Sequence, residues 1–120
     1  MSNKAFGKVL ERRTKNFSIQ VIRYSISLSN TLELNIIRNQ LVKSATSIGA
    51  NYREANRARS KAEFISRLRI CQSETSETMY WLEILCDTGL DKMPPPELIR
   101  ECNELLALFT SIITKLREQS

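Results

Sequence analysis

The hydrophobic positions of this chain recur at intervals of three and four residues for most of its length. Phe17, Val21, Tyr24 and Leu28 form one stripe, with Ile19, Ile22 and Ile26 beside it. Ser29-Asn30-Thr31 interrupts it, and a second stripe follows through Ile37, Leu41, Ala45, Ile48, Tyr52 and Ala55. A third carries Phe64, Leu68, Cys71, Thr75, Thr78, Leu82 and Leu85, and a fourth Leu98, Cys102, Leu105, Phe109, Ile112 and Leu116. Side chains three and four apart share one face of a helix, whereas a strand alternates every second residue. No stretch sustains that alternation, so the pattern predicts four helices and no sheet.

Helix boundaries are written into the same rows. Ser60-Lys61-Ala62-Glu63 has the spacing of a capping box, with Ser60 as the cap of the third helix and Glu63 reaching back to its start. Gly89 stops that helix by taking a left-handed conformation, and Pro94-Pro95-Pro96 stiffens the way into the fourth. Three short connections favour antiparallel neighbours. The fold class is therefore all-α, an antiparallel up-and-down four-helix bundle spanning 14–120. Residues 1–13 read as a basic N-terminal arm. In the fourth helix, Ile99, Leu106 and Ile113 make an additional stripe that a single bundle seam does not need, which points to burial against another subunit.

Composition adds limits. At 120 residues, one domain with a real core is expected. No apolar run approaches the roughly 18 residues of a membrane helix. Met1 to Asn16 is polar and basic, unlike a secretory signal, so a cytoplasmic protein that does not enter the membrane is expected. Cys71, Cys86 and Cys102 are widely spaced, and Cys71 and Cys102 fall on apolar stripes, as small buried hydrophobes do. There is no His. That removes the Ser-His and Cys-His arrangements of nucleophilic catalysis, and no Gly-rich phosphate loop is present. No catalytic residue, metal or cofactor is expected.

Charge changes the picture more. The net charge is +5, yet residues 1–60 hold 11 Lys/Arg against 3 Asp/Glu and residues 61–120 hold 7 against 10. Such asymmetry fits a polyanionic partner or contact between halves or subunits. Arg53, Arg57, Arg59 and Lys61 cluster where the second helix meets the third. With Ile48 inward, Arg53, Arg57 and Lys43 lie on the outer face. The cluster reads either as a solvated helix end whose cations favour the dipole, or as a phosphate-binding patch reinforced by Lys4, Lys8, Arg12, Arg13 and Lys15. Ser44 and Asn51 lie seven apart on one flank of the second helix, and Glu74 and Glu77 sit mid-way along a stripe of the third that also holds Ile70, Trp81 and Ile84. These four are candidates for a buried polar or interface network, with Lys43 or Asn51 as partner to a carboxylate.

The run QLVKSATSIGANYREANRARSKAEFISRL, Gln40 to Leu68, followed by ETMYWLEIL, Glu77 to Leu85, resembles the 23S rRNA-intervening-sequence proteins. The likeness starts near LERRTKNF, Leu10 to Phe17, and reaches about Leu90, with a looser match in the fourth helix. The family is named for reading frames inside insertions in bacterial ribosomal RNA genes. The resemblance implies a four-helix bundle and a homo-oligomer, a pentamer in the known case. The related accessory variability determinant proteins of diversity-generating retroelements bind nucleic acid and a protein partner. Lys43 stands where Arg is common before Ser, which keeps the charge and loses the bidentate fork. The combined expectation is an oligomer that binds RNA or DNA through a basic surface. The alternative is a structural or protein-interaction module whose basic patch serves assembly.

Overall fold

In the computed structural model, which describes residues 3–119, the chain forms four helices: α1 Asn3–Ser27, α2 Leu32–Ala55, α3 Lys61–Thr88 and α4 Pro96–Glu118. They run up-down-up-down in the cyclic order α1–α2–α3–α4, with α2 and α3 the most closely packed pair and α1 and α4 the least. The bundle measures 48 × 22 × 21 Å. Among the described residues there is no strand, and no helix is long and apolar enough to cross a membrane.

The predicted stripes form one core to which every helix contributes, centred on Phe17, Leu41, Ile48, Leu68, Leu82, Leu105 and Phe109. Tyr52 and Phe109 meet across it with ring centroids 6.0 Å apart. Cys71 and Cys102 are buried, and their thiols point at the carbonyls of Ile48 and Thr75. In α4 the core takes Ile113 rather than Ile112, because the step of four from Phe109 stays on the inward line. Ile112 and Leu116 are half-buried.

Gly49 allows α1 and α2 to touch backbone to backbone. A Cβ there would stand 3.4 Å from the carbonyl carbon of Thr14, and the Ser18 hydroxyl lies 3.1 Å from the carbonyl oxygen of Ala45. A methyl fits in that contact; a branched side chain would push the helices apart.

Ser60 caps α3 by accepting from the Glu63 N–H, and Gly89 ends it at φ +58°. Glu63 reaches back one residue further than a simple capping box, to the N–H of Arg59. The expected boundary between arm and bundle is not seen. α1 is unbroken from Asn3, and Gly7 and Leu10 are buried against the bundle, so residues 3–13 are the first turns of α1. Met1 and Ser2 of that arm lie outside the described residues. The polar sequence concealed this because only one narrow face of those turns is covered.

Candidate nucleic-acid interface

Antiparallel packing turns the sequence asymmetry into an axial one. The starts of α1 and α3 and the ends of α2 and α4 share one end of the bundle. Residues 3–16, 46–74 and 105–119 carry thirteen Lys/Arg and five Asp/Glu, a net +8. Residues 17–45 and 75–104 carry five and eight, a net −3.

At the basic end a shallow cleft of about 690 Å³ opens between the start of α1 and the α2–α3 joint. Lys4, Lys8, Arg53, Arg57 and Lys61 line it, with Glu11, Asn56 and Phe64. Asn56 holds the two sides together by donating to the Gly7 carbonyl at 3.1 Å. Arg53 pairs with Glu11 at 3.0 Å, an exposed contact that sets its direction more than it adds stability. Arg57 is not on a helix, because α2 ends at Ala55 and Asn56 is its cap; the expected outward face of α2 stops at Arg53. Arg57 and Arg59 are exposed on the five-residue joint, 56–60.

The other candidate cations separate from this cluster. Arg12 and Lys15 are exposed along α1 but do not line the cleft. Arg13 turns to α4, where its guanidinium forks onto Glu101 at 3.0 and 2.5 Å and reaches Glu104 at 3.1 Å. The hydrogen bond to Glu101 raises its pKa further. This fork spans the least packed seam of the bundle. Lys43 lies in the part of α2 that belongs to the acidic half of the bundle, fourteen residues before Arg57 and so roughly 20 Å away.

The expected polar network does not form as one unit. Ser44 is fully buried, and its hydroxyl oxygen lies 2.9 Å from that of Thr78. Asn51 donates to the Ser47 carbonyl and accepts from Arg67 at 3.3 Å. Glu74 is half-buried, and burial and the neighbouring Glu77 charge raise its pKa, opposed by a Ser47 hydrogen bond and the charge of Lys43. Glu77 is exposed beside Arg69, Ser73, Ser76 and Tyr80. Arg67, absent from the sequence candidates, was marked by its spacing: Arg67, Glu74 and Trp81 fall seven apart along the α2-facing flank of α3.

Burial pushes the thiols of Cys71 and Cys102 up to about 12, which leaves them poor nucleophiles near neutral pH. Among the described residues no group of three or more Cys, Asp or Glu is placed to hold a metal.

A four-helix bundle with one strongly cationic end is the class of protein these features define. The chain belongs to the 23S rRNA-intervening sequence protein family, whose sequence pattern matches residues 9–111. It is similar to a protein of unknown function from the S23 ribosomal protein family of Bacteroides thetaiotaomicron VPI-5482, solved by crystallography at 1.70 Å. The two share 33% identity over 90% of this chain and 97% of that one, with a TM-score of 0.78. A search of curated proteins returned no match.

Proposed function

We propose that this protein is a non-enzymatic, homo-oligomeric scaffold that works in the cytoplasm and binds RNA or DNA through its basic end. The observation that carries the reading is the convergence of Lys4, Lys8, Arg53 and Arg57 from α1, α2 and the joint on one cleft, in a half-molecule of net +8. Cations gathered on one surface bind polyphosphate by releasing its condensed counterions. The raised thiol pKa values and the lack of His support a binding role over catalysis.

The test is fluorescence anisotropy of a labelled structured RNA across salt. About four phosphate contacts predict a loss of affinity on the order of a hundredfold between 50 and 200 mM salt. Affinity that does not change with salt, or no binding at 50 mM, contradicts the reading.

One observation favours a protein-interaction role as well. Ile22, Ile26, Leu32, Ile36, Leu90 and Met93 are exposed around the acidic end, Ile26 at 74% and Leu32 at 73%. Aliphatic side chains gathered in this way mark a protein contact. Light scattering separates the two uses of the basic patch: if Arg57→Glu with Arg59→Glu dissociates the oligomer and leaves RNA binding intact, the patch serves assembly.

A further inference from the structure

Resting on the nucleic-acid reading above, we infer that the ligand of the basic end is a duplex, held by the phosphates of both strands, and not an unpaired strand. The first reason is the spread of charge. Lys115 and Arg117 are exposed at the close of α4, on the same end as Lys4 and Lys8 of α1 and Arg57 and Arg59 of the joint. α4 lies diagonally across from α2, so Lys115 and Arg117 are separated from Arg53 and the joint arginine Arg57 by the breadth of an end about 22 × 21 Å across. That span exceeds the roughly 12 Å width of the B-DNA major groove, so the two edges of the end are far enough apart to meet phosphates on both sides of a groove. A duplex also presents about twice the charge per unit length of a single strand.

The second reason is the scarcity of stacking surface. Proteins that hold unpaired strands stack successive bases on aromatic side chains. At this end Tyr52 and Phe109 are buried in the core, Phe64 is half-buried, and Phe6 is exposed to only 37%. The exposed Tyr80, at 53%, lies in the other half of α3. Asn56, which could hydrogen-bond a base edge, is occupied with the Gly7 carbonyl. The end therefore offers charge over a broad area and little that reads a base.

The experiment compares the intact protein binding three labelled probes matched for phosphate number: an RNA duplex, the DNA duplex of the same sequence and an unpaired strand. At 50 mM salt the duplexes are expected to bind about tenfold more tightly than the unpaired strand. Lys115→Glu with Arg117→Glu, at the α4 edge, should lower duplex affinity about tenfold, with the circular dichroism spectrum unchanged. Phe6→Ala should leave it within about twofold, because no base is stacked. An unpaired strand bound as tightly as the duplex, a large loss from Phe6→Ala, or no effect of the α4 reversals overturns the duplex inference while phosphate binding stands. No binding of any probe overturns the inference and the proposed function together.

Discussion

At the turn end of the bundle, Arg38 gives its guanidinium hydrogens to the carbonyls of Ser25, Leu28 and Ser29 and to the side chain of Asn35. Ser25 lies in the last turn of α1 and Leu28 and Ser29 just past its end, where carbonyls lack the usual intrahelical partner. Beside it the Tyr24 hydroxyl donates to the Lys92 carbonyl at 2.6 Å, and Asp91 accepts from the Ser29 N–H at 2.6 Å. The α1–α2 and α3–α4 connections are thereby tied to each other. At the joint end the pattern is reversed. Arg57 and Arg59 stand exposed on a short connection whose own backbone is settled by the Asn56 cap, Ser60 and Glu63. Charge at the turn end closes the fold; charge at the joint end is left facing solvent, at the cost of mutual repulsion. A cation that the fold does not use is the better candidate for a ligand.

That contrast can be broken at either end. The largest effect on stability is expected from Arg38→Ala, which strands several half-buried carbonyls. It should cost about 2–3 kcal/mol, or roughly 10 °C in melting temperature, with RNA affinity unchanged in the folded protein. Arg57→Glu with Arg59→Glu should do the converse: about a tenfold or greater loss of RNA affinity at 50 mM salt, and a stability change within about 0.5 kcal/mol by thermal melting. Tyr24→Phe removes one hydrogen bond and should cost about 1 kcal/mol in a denaturant titration. The same tyrosine sharpens the comparison by pH. Burial, aided by the nearby Cys86 and Asp91, raises Tyr24 from 10 to about 12. The folded state thus holds its proton more tightly than the unfolded chain, so this contribution is complete below pH 10 and is lost as pH rises from 10 towards 12. Melting curves over that range should fall less steeply for Tyr24→Phe than for the parent. The smallest effect belongs to the exposed Arg53–Glu11 pair. Glu11→Gln should change stability by less than about 0.5 kcal/mol and raise RNA affinity about twofold, because Arg53 is released to a phosphate.

The two ends also differ in how far the sequence revealed them. The joint end was legible because its signals are local: Ser60 and Glu63 cap within one turn, and a run of arginines announces a charged surface. The core was legible for the same reason, through spacings of three and four that need no knowledge of the neighbouring helix. The turn end was not. Arg38, Tyr24 and Asp91 act across separations of up to 68 residues, and nothing beside Tyr24 in the chain marks Lys92 as its partner. Arg13 shows the opposite error. It stands next to Arg12 in a basic run, yet one helical step of 100° turns it towards Glu101 and away from the solvent-facing cations. Lys43 was grouped by its charge and is separated by helix length. Sequence proximity identifies a charged segment; only the packing decides which of its charges the fold consumes.

Whether the joint arginines hold phosphate is decided by the slope of log affinity against log salt for one RNA duplex, measured for the parent protein and for Arg57→Glu with Arg59→Glu. Each phosphate contact removed should flatten the slope by about 0.9, so the pair is expected to flatten it by about 2. An unchanged slope in a folded variant would contradict the assignment of the joint arginines to phosphate.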